Sequence, residues 1–307
     1  MTTALYYHDD CVLHDQGAGH PEQPARLGAV LNALKRDGHY DALDLRSPAL
    51  VEDADILRVH PAAYLEQVEQ ASPASGRVAL DADTAINPHS VVAARRAAGA
   101  AVDAVDTLMA GDIDSAFCAV RPPGHHAERN KAMGFCLFGS VAVAAKRALD
   151  THGLERVAIV DFDVHHGNGT EDLVEHDPRI LFCSSFQYPH YPGYYRNNID
   201  GQRVNTPLPG GADGNAFRDA VRAQWLPVLH AQQPQLIIVS AGFDAHREDP
   251  LASLNLVEDD FAWVTRQILD VADAHASGRV VSLLEGGYNL DALGRSASAH
   301  VKTLLER

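Results

Sequence analysis

Short apolar runs recur along the chain at Leu5–Tyr7, Ala116–Val120, Val157–Val160, Ile180–Cys183, Leu236–Ser240 and Val280–Leu284. Four of them are continuous rather than alternating, the pattern of strands covered on both faces. Between them lie stretches with helical spacing. Pro24–Arg36 and Pro61–Gln70 place apolar residues three to four apart, and His89–Met109 is long and Ala-rich. Ser140–His152, Asn215–Gln232, Glu258–His275 and Leu290–Leu305 complete the helical set. Strands alternating with helices predict an α/β fold built on a parallel sheet. No repeat, low-complexity tract or linker interrupts the pattern, so residues 1–307 are expected to form one domain.

The residues just after the apolar runs are unusual. Val120 leads into Arg121-Pro-Pro-Gly-His-His126, and Val160 into Asp161-Phe-Asp-Val-His-His166. Ser240 leads into Ala241-Gly-Phe-Asp244, and Leu284 into Glu285-Gly-Gly-Tyr288. In open α/β sheets ligands sit beyond the carboxyl ends of the strands. Four strands thus deliver His, Asp and Tyr to one edge.

On an extended segment Asp161, Asp163 and His165 share a face, with Phe162 and Val164 turned the other way. Three polar groups on a buried face need a cation or hydrogen-bond partners. Carboxylate plus imidazole suits Zn²⁺ or Fe²⁺, and a structural hydrogen-bond cluster is the alternative. Asp244 can complete a three-ligand site with open positions, or can simply cap a helix. Gly242 beside it permits close backbone approach. His125 and His126 follow a stiff Pro-Pro-Gly turn. Near a metal they can serve as general base and electrostatic or acid partner, whereas alone they would be an ordinary surface loop. Asp161 and Asn168 are the available acceptors for fixing their tautomers. Tyr288 can donate to an oxyanion, or cover the sheet edge as a turn residue.

Composition narrows the field. With 46% hydrophobic and 21% charged residues the chain can bury a full core. It has no apolar run of the ~18 residues a membrane helix needs. Met1–Cys11 lacks the basic-then-apolar pattern of a secretory leader. Cys11, Cys118, Cys136 and Cys183 show no CxxC spacing, which predicts buried free thiols in a reducing cytoplasm. A formal charge of −16 argues against nucleic acid as a direct ligand. It favours cationic substrates by steering, or serves solubility alone. Oligomeric state is not legible.

Taken together, these residues resemble the zinc-dependent histone deacetylase and acetylpolyamine amidohydrolase superfamily, which shares its fold with arginase. The segments that carry the resemblance are His20–Arg26, Arg121–Ala127, Gly134–Phe138, Asp161–Thr170, Ser240–Asp244 and Glu285–Tyr288. Asn168, Gly242-Phe-Asp244 and Gly286-Gly-Tyr288 look like the class II branch. The resemblance implies one eight-stranded parallel sheet flanked by helices. It implies Asp163, His165 and Asp244 as zinc ligands, His126 as general base, His125 as its partner and Tyr288 as the carbonyl-polarising donor. It places Phe135 and Tyr191 as walls of an acyl-lysine tunnel, Gly134 as a carbonyl contact and Asp83 on the rim. Arg26 falls beneath an acetate pocket. Asp161, Asp163, His165, Ser184 and Ser185 align with a monovalent-cation site, usually K⁺. Three positions depart from the common pattern: Tyr191 stands where Phe is usual, Phe186 where His is usual, and Gly139 where Asn is usual. The first two are expected to affect substrate preference or rate.

The implied reaction is hydrolysis of an N-acetyl amide, releasing acetate and an amine. The substrate is expected to be acetylated lysine, with small acetylated amines such as polyamines as the alternative. Polyamine-selective relatives carry an acidic gatekeeper near Asp249-Pro250, where this chain has Leu251. A catalytically silent acetyl-lysine-binding scaffold is a third reading, against which every metal, base and Tyr position is filled. An arginase-like ureohydrolase would need more Asp ligands for two metals.

Overall fold

In the computed structural model, which describes residues 1–307, the chain forms ten strands in sequence order. They are β1 (Thr3–Tyr6), β2 (Asp44–Arg46), β3 (Val78–Ala79), β4 (Ala85–Ile86) and β5 (Ser115–Cys118), followed by β6 (Val157–Asp161), β7 (Ile180–Gln187), β8 (Arg203–Leu208), β9 (Leu236–Ala241) and β10 (Val280–Leu284). Eight of them make one parallel sheet in the order β2-β1-β5-β10-β9-β6-β7-β8, and β3 and β4 make a separate small ribbon.

Successive residues on β5 show why it is buried throughout. The Phe117 ring meets His300 of the helix Leu290–Leu305 at 5.6 Å. The Cys118 thiol faces Ala100 O of the helix Ser90–Ala110 at 3.5 Å. Neighbouring side chains on a strand point to opposite faces, so helices cover the sheet on both. Ala25–Arg36, Glu258–His275 and Leu290–Leu305 pack together on one side, and Ser90–Ala110 with Ser140–Asp150 on the other. The core is one contiguous apolar cluster. All four cysteines are buried and free. No helix is long and apolar enough to cross a membrane.

Two strands of the main sheet, like both strands of the small ribbon, have no counterpart among the predicted runs. β2 and β8 are the edges, each with one neighbour. Asp44-Leu-Arg46 is too short and polar to stand out. β8 reads Arg-Val-Asn-Thr-Pro-Leu, with Pro207 tolerated because an edge strand needs fewer ladder donors. The predicted helix Asn215–Gln232 is interrupted. Gly214–Ala220 and Leu226–Gln232 flank a wide turn over Val221–Trp225. Pro227 has no N–H to bond back into the preceding turn, so the helix opens there.

Candidate active site

The four loops with unusual chemistry follow β5, β6, β9 and β10, and these are four consecutive neighbours in the middle of the sheet. Asp163, His165 and Asp244 meet there, with ligand atoms all within 4.8 Å of one another. His165 Nδ1 lies 3.1 Å from both Asp163 Oδ1 and Asp244 Oδ2. Backbone donors fix the carboxylates from the adjoining loops. Gly286 N–H donates to Asp163 Oδ2 at 2.8 Å, and Val164 N–H to Asp244 Oδ1 at 2.8 Å. A Cβ on Gly242 would overlap the Asp163 carboxylate, which explains the glycine before Phe243-Asp244. Two buried carboxylates around one imidazole would be charge-balanced by a divalent cation, and the O/N/O donor set suits zinc or iron. Strand β6 ends at Asp161, so the shared face of Asp161, Asp163 and His165 continues into a bend rather than a strand.

His125 and His126 stand beside the triad with ring centroids 4.0 Å apart, and they differ in their partners. His125 Nδ1 lies 3.0 Å from Asp161 Oδ2. Burial disfavours its charged form, but Asp163 and Asp161 outweigh this and hold its pKa well above the usual histidine range. His126 Nδ1 lies 2.7 Å from Asn168 Oδ1. Burial, with repulsion from His125 and His165, pushes its pKa well down, so the ring is neutral. The two predicted acceptors thus each serve one histidine.

A cavity of about 200 Å³ opens over these groups, lined by Asp83, His126, Gly134, Phe135, His165, His190, Tyr191, Leu251 and Tyr288. Tyr191 stands edge-on to His126 at 5.1 Å, and Phe135 edge-on to Tyr288 at 5.8 Å. Burial pushes the Tyr288 phenol well above its ordinary range, so it stays a donor. Gly134 adopts φ 56°, and a Cβ there would overlap the His126 ring. Its N–H donates to Asp83 Oδ1 at 3.1 Å, which ties the rim to the tunnel wall.

Two residues singled out in the sequence sit outside the cavity lining. Arg26 does not line the cavity. It is fully buried behind Tyr288, where Nε donates to Gly287 O at 2.7 Å and Nη2 to Glu285 O at 2.5 Å. Its guanidinium needs carbonyl acceptors, and the turn after β10 supplies them. Phe186 also misses the cavity, packing on His166 at 4.6 Å and Tyr195 at 5.1 Å. Ser184 and Ser185 are buried on β7, with Ser184 in register with Asp161.

Three residues of the site have no role assigned from the sequence. His190 lines the rim, stacked on His165 at 5.2 Å, and its Nε2 lies 2.9 Å from Leu251 O. Glu285 accepts from Gly124 N–H at 2.7 Å, His125 N–H at 3.2 Å and Ser240 Oγ at 3.2 Å, pinning the His-His turn against the sheet. Burial raises its carboxyl to about 7. Asp249 accepts from Tyr288 N–H at 2.7 Å and Leu251 N–H at 3.0 Å. The one signal in the sequence is Glu285 itself, a charge directly after a fully buried strand.

The histone deacetylase domain matches residues 20–304. The chain belongs to the histone deacetylase family. Like other members, it is a metal-dependent amidohydrolase. It is 39% identical to the histone deacetylase-like amidohydrolase of Pseudomonas aeruginosa, across 94% of this chain and 82% of that protein. It is 36% identical to the polyamine deacetylase HDAC10 of Homo sapiens, across 99% of this chain and 48% of that protein. The crystal structure of the HDA15 HD domain matches with a TM-score of 0.93 at 34% identity, covering 100% of this chain and 88% of that one.

Proposed function

We propose that this deacetylase hydrolyses the N-acetyl amide of acetylated lysine side chains, with zinc as its metal. The observation that carries the reading is the convergence of the Asp163–His165–Asp244 triad, His126 and Tyr288 at one cavity walled by Phe135 and Tyr191. A divalent metal on the triad would supply Lewis acidity toward the acyl carbonyl and acidify a water. Neutral His126 accepts the water's proton at Nε2. Tyr288 donates to the carbonyl oxygen as negative charge builds there. His125, with Asp161 Oδ2 at 3.0 Å from its Nδ1, stands beside that charge, and a protonated imidazole delivers a proton to the leaving nitrogen as the amide C–N bond breaks.

The aromatic walls suit an aliphatic stem. Leu251 at the rim offers no carboxylate to a second ammonium, which favours lysine over polyamine. The acetylpolyamine reading draws on the human relative's name and on the net charge of −16. A K⁺ ion on main-chain oxygens of Asp161, Asp163 and His165, with Ser184 and Ser185, would brace the carboxyl ends of β6 and β7. Buried free thiols suit a reducing cytoplasm.

The test is metal analysis with parallel kinetics on acetyl-lysine peptide, longer acyl-lysines and acetylated polyamines. Acetyl-lysine should be the faster substrate, with hydroxamate inhibition and zinc bound. Leu251→Glu should raise kcat/KM for acetylpolyamine relative to peptide. Much faster polyamine turnover by the wild type would reverse the preference, and bound iron would change the metal.

A further inference from the structure

We propose that Glu128 and Tyr194 are positioning residues that fix which end of the Asn168 amide faces His126, and thereby which ring nitrogen of His126 carries its proton. The effect on rate rests on the deacetylase reading above, while the effect on the tautomer does not.

An asparagine side chain can be turned end for end with little change of shape, so its neighbours decide its orientation. Asn168 is buried at 2% exposure. One end lies 2.7 Å from His126 Nδ1. The other lies 2.8 Å from Glu128 Oε1 and 3.1 Å from the Tyr194 hydroxyl. A carboxylate only accepts, so the end facing Glu128 is the NH₂. The Tyr194 hydroxyl spends its own proton on the same Glu128 oxygen at 2.6 Å, so toward Asn168 it too can only accept. Both neighbours demand a donor, and Asn168 Oδ1 is left for His126. That oxygen has no proton to give. His126 Nδ1 therefore carries the hydrogen and Nε2 keeps the lone pair a base requires.

A turned amide would donate into Nδ1, move the ring proton to Nε2 and silence the base. His125 needs no such lock, because its partner Asp161 is a carboxylate with no wrong end. The lock also reaches the surface. Glu128 is half-buried and Tyr194 is 49% exposed on the segment after β7. A group at the protein surface thus sets the tautomer of a buried base.

Glu128→Gln tests this directly, since its amide can accept or donate and frees Asn168 to turn. Nitrogen-15 spectra of the metal-loaded protein would report the ring protons, with the His126 signals identified by their loss in His126→Gln. The wild type should show Nδ1 protonated and Nε2 bare. Glu128→Gln should show a mixture or the opposite tautomer, and the milder Tyr194→Phe a smaller shift in the same direction. On acetyl-lysine peptide, kcat of Glu128→Gln should fall roughly 10-fold or more, with the ~10²–10⁴ that positioned proton transfer contributes as the ceiling, and with KM and bound metal unchanged. Adding Asn168→Asp to Glu128→Gln should restore much of the lost kcat, because a carboxylate there accepts in either orientation. A wild-type His126 spectrum in both Glu128→Gln and Tyr194→Phe, or no rescue by Asn168→Asp, overturns the assignment. A wild type with the expected tautomer but no turnover of any acyl amide would sink the functional reading and leave the tautomer assignment standing.

Discussion

Tyr288 reaches the cavity from a turn held at three points. Asp249 accepts its N–H, while Arg26 donates to the carbonyls of Gly287 and Glu285 and lies 5.0 Å from the phenol ring centre. Because the backbone is clamped, Tyr288→Phe should remove the hydroxyl and little else. We expect kcat to fall on the order of 10²–10³-fold, the usual loss for one oxyanion donor, with metal content unchanged. Steady-state kinetics beside metal analysis checks it, and full turnover would remove Tyr288 from the chemistry. Tyr288 is legible in the sequence because it follows Gly-Gly after a buried strand. Asp249 is not, because an Asp before Pro is an ordinary turn residue. Only the fold shows that it receives a donor 39 positions along the chain.

At the scale of elements, β6 and its continuation separate metal chemistry from core. Phe162 sits between Asp161 and Asp163 and packs at 6.0 Å from each of Phe243, Phe261 and His300. It is 1% exposed. Phe162→Ala should cost about 3–5 kcal/mol by cavity formation, and should weaken metal binding because both flanking carboxylates lose their support. Urea unfolding and metal titration read the two effects, and a loss below ~1 kcal/mol would show that the wedge is dispensable. The alternation Asp-Phe-Asp-Val-His suffices to assign those faces, because side chains two apart on an extended segment point the same way. The edge strands β2 and β8 lack such a pattern, since strands with one neighbour need less apolar surface.

Across the whole molecule, acid should be the weak point. His300 is buried between Thr265 Oγ1 at 2.6 Å and Ser282 Oγ at 2.8 Å, and burial lowers its pKa to about 3. His60 accepts from Gly139 N–H at 3.0 Å, and burial lowers its pKa to about 4. An unfolded histidine titrates near ~6.5, so below that the unfolded chain binds protons the native state refuses. The stabilising contribution is complete above ~6.5 and is lost as pH falls toward these folded values, by up to ~1.4 kcal/mol per pH unit for each group. Urea midpoints at about pH 7 and about pH 5 should therefore differ, and His300→Gln should shrink the difference. An unchanged pH dependence in that variant would show that His300 is not a source of it.

The sequence by itself determined which segments are the inner strands, which loops follow them and which residue types those loops carry, because these follow from local periodicity and from the chemistry of single side chains. It also carried the family, since six motifs stand in order along the chain. Only the tertiary structure decided that β5, β10, β9 and β6 are neighbours, which is what brings His126, Tyr288, Asp244 and Asp163 to one point. Strand order is a non-local property, set by how crossover helices pack on the two faces of the sheet, and no window of sequence contains it. The same reason hid the place of Arg26 behind Tyr288 and the orientation of Asn168, each fixed by partners that folding alone brings near.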